Sequence, residues 1–261
     1  MHQPGDKKPH VARRRFGQHF LHERRVVERL LKEIEPGKKD LVVEIGPGEG
    51  ALTGPLLERL ERLQVVEIDR DLAAELETRY PREKLTVHCA DALEFDFAQF
   101  PAGTRIVGNL PYNISTPLLF HLARFAGRAR DMHFMLQLEV VERMVAAPST
   151  PEYGRLSVML QTRFRMKKLF SVAPGAFRPP PKVDSAVVRL VPIAEKPACD
   201  PALLEKIVRQ AFSARRKTLR NALPLAPQDF EALRIDPKLR PENLSPADYV
   251  RIADYLASNP R

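Results

Sequence analysis

The chain has 261 residues, 44% of them hydrophobic, which is enough to bury a substantial core in one large domain or in a large and a small one. Its 42 Lys and Arg against 33 Asp and Glu leave a formal net charge of +9, so a polyanion such as RNA or DNA is the expected partner class. The two cysteines have no partner at ligand spacing, no apolar run reaches the roughly 18 residues of a membrane span, and no secretory pattern is seen; a metal-free, disulfide-free, cytoplasmic protein is therefore expected.

Residues 1–20 read as a basic arm, with Arg13-Arg14-Arg15 leading into Phe16-Gly17-Gln18-His19-Phe20-Leu21. Val26, Val27, Leu30, Leu31 and Ile34 then recur at helical spacing until Pro36-Gly37 stops the helix. Short apolar runs follow in alternation with helical patterns. Strands are predicted at Leu41 to Ile45, Gln64 to Ile68, Leu85 to Cys89, Arg105 to Val107 and His133 to Leu138, and helices at Leu52 to Leu63, at Leu72 to Tyr80 and from Thr116-Pro117. Cys89, at the end of its strand, reads as a buried thiol and Cys199 as an incidental one. This βα alternation predicts an α/β fold, a Rossmann-like, mostly parallel sheet covered by helices.

After Glu139 a helix is expected through Val140, Val141 and Met144. Leu156 to Phe164 and Ala186 to Val191 have strand composition and read as a final strand pair. A boundary near 195/196 separates a domain over 21–195 from a small helical domain over 196–261. In the latter, Leu204, Ile207, Val208, Ala211 and Phe212 mark one helix, and Ser245-Pro246-Ala247-Asp248 reads as the capped start of another.

Three strand ends carry the chemistry. Glu44-Ile45-Gly46-Pro47-Gly48-Glu49-Gly50 is a glycine loop of G-x-G-x-G form, neither a G-x-G-x-x-G dinucleotide fingerprint nor a Walker loop with its Lys-Ser/Thr. It suits a ligand without pyrophosphate, such as S-adenosylmethionine, whose amino-acid portion the backbone approaches closely. Glu67 or Asp69, at the end of the next strand, would accept from the ribose hydroxyls, and spacing does not separate the two. Asp91-Ala92 is placed for the adenine edge, the Asp accepting from the amine and the Ala92 N–H donating.

Asn109-Leu110-Pro111-Tyr112-Asn113 follows the fourth strand. The nitrogen of an exocyclic adenine amine is a poor nucleophile because its lone pair is delocalised, so a site that alkylates it must accept its protons and aim that lone pair. The Asn109 side-chain oxygen and the Leu110 carbonyl can be those acceptors, Pro111 stiffens the turn, and the Tyr112 ring can stack on an extruded base.

These segments together resemble the ribosomal RNA small-subunit adenine dimethyltransferase family, the KsgA or RsmA type. The resemblance rests on the 16–21 run, the glycine loop, Val66-Glu67-Ile68-Asp69, Asp91-Ala92 and Asn109 to Ser115. It extends through Phe177-Arg178-Pro179-Pro180-Pro181-Lys182-Val183-Asp184-Ser185 and Phe212-Ser213-Ala214-Arg215-Arg216-Lys217-Thr218-Leu219. The resemblance implies a class I methyltransferase that uses S-adenosylmethionine to convert two adjacent adenosines, in a hairpin loop near the 3′ end of small-subunit ribosomal RNA, to N6,N6-dimethyladenosine. It implies action as a monomer on the small subunit or its assembly intermediate, with a role in maturation.

Carried onto this chain, the resemblance places Gln18, His19, Leu21 and Gly46 at the methionine side of the cofactor and Glu67 on the ribose. It places Ile68 on the adenine face and Asp91 and Ala92 at its edge. Asn109, which also counts among the cofactor contacts, and Leu110 become the catalytic acceptors, Tyr112 the stacking ring, and Phe177 a cover for the base from the other side. Arg13, Arg14, Arg15, Arg165, Lys167, Lys168, Arg215, Arg216 and Lys217 become candidate phosphate contacts. His19 departs from the asparagine usual in the family; an imidazole can still donate one hydrogen bond, but its charge changes near neutral pH, so pH-sensitive cofactor affinity is expected. Three other readings stand beside this one: the large-subunit adenine N6-methyltransferases of macrolide resistance, a basic assembly factor with vestigial catalysis, and a nicotinamide oxidoreductase, which the glycine spacing disfavours.

Overall fold

The computed structural model describes residues 18–194 and 199–259. A two-residue strand, β1 (Phe20–Leu21), leads into α1 (Arg24–Ile34), where the Glu23 side chain caps the start and Val27, Leu30, Leu31 and Ile34 are buried. Then come β2 (Val42–Ile45), α2 (Thr53–Leu57), β3 (Leu63–Glu67), α3 (Arg70–Arg79), β4 (Leu85–Cys89) and β5 (Thr104–Asn109). After these lie α4 (Ser115–Ala123), β6 (Ala129–Gln137), α5 (Leu138–Val145), α6 (Arg155–Gln161) and β7 (Phe164–Val172). The chain continues through β8 (Phe177–Arg178), β9 (Ser185–Pro192), α7 (Pro201–Ser213), α8 (Leu219–Ala222), α9 (Pro227–Leu233) and α10 (Pro246–Ser258).

Seven strands form one sheet in the order β4-β3-β2-β5-β6-β9-β7, parallel from β4 to β6 and antiparallel over the last two pairs. From β2 the chain moves outward through β3 and β4, then crosses to β5 on the other side of β2. That reversal opens a crevice at the carboxyl ends of β2 and β5, the place where open α/β sheets bind ligands. β1 pairs separately with β8, which brings Phe20 and Leu21 against the start of the proline-rich segment.

Each face of the sheet carries its own core. Met132, Phe134 and Leu136 of β6 point into a cluster with Leu118, Leu119 and Leu122 of α4, while Met135 and Val107 point to the opposite face, toward Leu30 and Ile34 of α1. Full burial of such a side chain is worth about 1.5–3 kcal/mol, which is what fastens these helices to the sheet. A third cluster joins Leu204, Ile207, Val208, Phe230, Tyr249 and Ile252 of the C-terminal helices to Ala146, Tyr153 and Val158, and the Tyr153 hydroxyl donates to the Leu244 carbonyl at 2.9 Å. The boundary expected at 195/196 lies outside the described residues.

Four expectations are corrected. Leu156 to Phe164 is mostly the helix α6 rather than a strand. Its buried positions Ser157, Val158 and Leu160 serve two clusters, and Ser157 Oγ accepts from the Gly154 N–H at 3.0 Å while donating to the Arg143 carbonyl, a helix start that strand-like composition conceals. The antiparallel partner of β9 is therefore β7, further along the chain. The helix expected over Leu52 to Leu63 closes after Leu57. Cys89 is exposed and Cys199 buried, the reverse of the expectation, because β4 is an edge strand whose outer end faces solvent.

Candidate active site

At the carboxyl edge of β2, β3, β4 and β5 lies a cavity of about 270 Å³. The glycine loop forms its floor. Gly46, Gly48 and Gly50 all have positive φ, and a Cβ on Gly48 would stand 3.0 Å from the Phe20 ring, so this turn admits no side chain where the arm crosses it. The Gly46 N–H donates to the Val66 carbonyl at 2.9 Å, and Arg79 reaches from α3 to the Glu49 carbonyl at 2.7 Å, tying the loop from behind.

Gln18, His19, Leu21, Gly46, Glu67, Ile68, Asp91, Ala92 and Asn109 all line this cavity, as do Leu110 and Tyr112. Glu67 is 5% exposed and accepts from the N–H groups of Gly48 (3.1 Å) and Asp69 (2.9 Å); burial still pushes its carboxyl up from the ordinary range. Asp69 is not a lining residue and caps α3, accepting from the Asp71 N–H at 3.1 Å; geometry thus separates the two acids that spacing left open. Ile68 is an apolar side chain left 42% exposed beside it, a flat surface for a ring. Asp91 both lines the cavity and accepts from the Leu93 N–H at 2.8 Å.

Glu44, to which no separate role was assigned from the sequence, is 2% exposed and belongs to the wall. Thr53 Oγ1 donates to it at 2.7 Å, and burial pushes its carboxyl up to about 8. Glu44, Glu49, Glu67 and Asp91 line the cavity, and no Lys or Arg does so among the described residues, although the whole chain is basic. Apolar ring surface, a close-approach loop, strand-end acceptors and an acidic wall fit a nucleoside that carries a cationic centre.

The turn after β5 forms the rim. Asn109 Nδ2 donates to the His19 carbonyl at 2.9 Å, a contact spanning 90 residues, which fixes the amide so that Oδ1 remains the acceptor. The Leu110 N–H donates to the Met135 carbonyl at 3.1 Å, and Ser115 Oγ donates to the Pro111 carbonyl at 2.9 Å. Gly108 is required beneath the turn, because a Cβ there would lie 2.4 Å from the Ile45 carbonyl oxygen. The Tyr112 ring is tilted 31° from that of His19, with centroids 5.3 Å apart, and its hydroxyl meets Ser185 Oγ at 2.5 Å.

Phe177 is not brought into the cavity. It is 2% exposed, paired with Leu21 across β1 and β8, and packed in the core beneath the sheet, where the short β8 strand draws its side chain inward. The basic residues are scattered. Arg13, Arg14 and Arg15 lie outside the described residues. Arg165, Lys167 and Lys168 are exposed on the edge strand β7, where cations also protect an unpaired sheet edge, and Lys168 stands 3.6 Å from Glu142. Arg215 joins Glu242 at 2.6 Å and the Pro151 carbonyl at 2.9 Å, so it serves the packing of the C-terminal helices; Arg216 and Lys217 are exposed.

The family model described as ribosomal RNA adenine dimethylase matches residues 9–258. The chain belongs to that family. Its relatives include the ribosomal RNA small subunit methyltransferase A of Aromatoleum aromaticum, 61% identical over 95% of this chain and 96% of the relative, and that of Thiobacillus denitrificans, 59% identical over 95% and 99%. Among solved structures, a dimethyladenosine transferase from Plasmodium falciparum superposes with a TM-score of 0.81 at 25% identity, covering 92% of this chain and 98% of that one. The 23S rRNA methyltransferase ErmE gives 0.69 at 26% identity, covering 91% and 99%. The enzyme is an S-adenosylmethionine-dependent methyltransferase of small-subunit ribosomal RNA adenines, with a Rossmann-like domain and C-terminal helices. Its resemblance to the large-subunit enzyme is one of fold, whereas the relatives near 60% identity are of the small-subunit type. No described helix is long and apolar enough to cross a membrane, and no cluster of metal-ligating side chains occurs among the described residues.

Proposed function

We propose that the enzyme dimethylates N6 of two adjacent adenosines in a hairpin loop near the 3′ end of the small-subunit RNA, acting as a cytoplasmic monomer on the subunit or its assembly intermediate. The observation that carries the catalytic part is the Asn109 amide, clamped through Nδ2 at the rim of an acidic cavity. When bound, the cofactor supplies a methyl group already activated on a sulfonium. The protein's task is therefore alignment rather than acid–base catalysis.

In this reading Asn109 Oδ1 and the Leu110 carbonyl accept from the two N6 protons, which favours a pyramidal nitrogen with its lone pair aimed into the cavity. Tyr112 stacks on the extruded base. Gln18, His19, Leu21 and Gly46 hold the methionine end, Glu67 the ribose, Ile68 the adenine face, and Asp91 with Ala92 its edge. Arg216 and Lys217, with Arg165 and Lys167, are the phosphate contacts this reading favours, being exposed, while Arg215 is already engaged.

Labelled cofactor with unmethylated small subunits, followed by mapping of the product nucleotides, tests the proposal. Asn109→Ala is expected to lower the rate on the order of 10²–10³-fold, a larger factor than any loss of cofactor affinity read by calorimetry. A parental rate in that variant would overturn the alignment mechanism. Labelling of large rather than small subunits would overturn the assignment of the target.

A further inference from the structure

Ser185 lies outside the lining of the cavity. It opens β9 and is fully buried, with its backbone locked between Gln137 of β6 on one side and Val172 of β7 on the other. A serine hydroxyl removed from water in this way requires a partner. Its partner is the Tyr112 hydroxyl, 2.5 Å away and 73 residues earlier in the chain.

Tyr112, by contrast, stands on a turn. Its backbone follows Pro111, its ring is half-buried against the cavity, and rotation about its side-chain bonds would swing the face offered to a base. The bond to Ser185 pins the far end of that ring to the start of β9, a strand paired on both sides, while the His19 ring lies along its side. The segment between Phe177 and Ser185 is held as well: the His19 ring Nδ1 lies 2.8 Å from the Pro179 carbonyl oxygen, and the Leu138 N–H donates to the Asp184 carbonyl at 2.9 Å. Burial keeps the phenol protonated to higher pH than usual, so it remains a neutral hydrogen-bonding group throughout the working range.

We propose that Ser185 is a positioning residue for methyl transfer, fixing the ring plane of Tyr112 from the rigid part of the sheet so that the stacked adenine presents N6 to Asn109. The proposal rests on the reading of Tyr112 as the stacking ring. A solely structural pair would affect the melting temperature and leave the chemistry untouched. A positioning bond shows itself in the transfer step, since a misplacement of about 1 Å can cost about a hundredfold in rate.

Single-turnover methylation of unmethylated small subunits, cofactor affinity and subunit affinity are measured for Ser185→Ala, Tyr112→Phe, the double variant and Tyr112→Ala. Tyr112→Phe keeps the ring and removes only the hydroxyl, so it reads the same bond without disturbing β9. Both single variants are expected to slow transfer about tenfold with both affinities within twofold. The double variant should be no slower than either, because the two side chains act through one contact. A parental transfer rate in either single variant, or losses that multiply in the double, would overturn the proposal. If Tyr112→Ala also transferred at the parental rate, the stacking reading itself would fall; if Tyr112→Ala were slow while Tyr112→Phe and Ser185→Ala were not, only the positioning role would.

Discussion

The two ends of the parallel strands treat buried charge in opposite ways. At the amino end, Arg105 of β5 meets Asp131 of β6 through two bonds of 2.8 and 2.9 Å, Asp40 at 2.9 Å, and the Ile34 and Glu35 carbonyls that end α1. Every charge there has a counter-charge or a carbonyl, and the Asp40 carboxyl sits below the usual range: burial opposes this, but the Gly37 N–H and Arg105 outweigh it. At the carboxyl end, the buried Glu44 and Glu67 accept from a hydroxyl and backbone N–H groups, neighbour other carboxyls and, among the described residues, no cation, and both are pushed upward, chiefly by burial. One end is closed by ion pairs, while the other forms part of the cavity wall. Burial of charge alone does not mark a functional site; a carboxyl buried in a cavity wall without an opposite charge is a candidate for one.

The largest effect expected from breaking this contrast is at Asn109, where rate falls and folding does not. Next is Arg105→Met at the closed end. It takes both short bonds from Asp131, whose side chain is 3% exposed, and leaves it only the half-exposed Arg189 at 3.6 Å, so stability in urea should fall by about 3 kcal/mol while the folded fraction keeps its kcat. An unchanged denaturation midpoint would show that the network is not a structural clamp. The Ser185 and Tyr112 variants follow, about tenfold in the transfer step.

A pH titration sharpens the comparison at the open end. The Glu44 carboxyl is raised by burial to about 8 from 4.5, so the folded protein keeps it protonated after the unfolded chain has released its proton. That contribution to stability is present below about pH 4.5 and is lost as pH climbs toward 8. Thermal melts of Glu44→Gln across this window should decline less with pH than those of the parent; parallel curves would show that Glu44 does not titrate in this way. The smallest effect is on RNA affinity. Replacing Arg216 and Lys217 by Gln should reduce the salt slope of subunit binding by roughly one for each phosphate no longer neutralised, and an unchanged slope would leave this patch a plain surface.

Much of the open end was legible in the sequence. The glycine loop, Glu67, Ile68, Asp91-Ala92 and Asn109 to Tyr112 each follow a strand, and in a parallel sheet every such end reaches the same edge, so local pattern is enough to assemble the site. The arm at Gln18 to Leu21 was legible only through the resemblance, since nothing local says that Phe20 crosses Gly48. The burial of Phe177 could not be read from its loop, because it depends on the pairing of β8 with β1. The pairing of Arg215 with Glu242 could not be read locally either, because the two lie 27 residues apart.

The sequence by itself determined the strand ends, the close-approach glycines and the hydrogen-bonding groups available on the turn after β5, because these depend on residue type and on the period of the chain. Tertiary structure alone decided which of two acids lines the cavity, that Glu44 is buried with no cation beside it among the described residues, that α6 is a helix, and that Tyr112 is held by Ser185. Each of these depends on what a distant segment presents at contact range, and hydrogen bonds and burial are set by distance in space rather than along the chain.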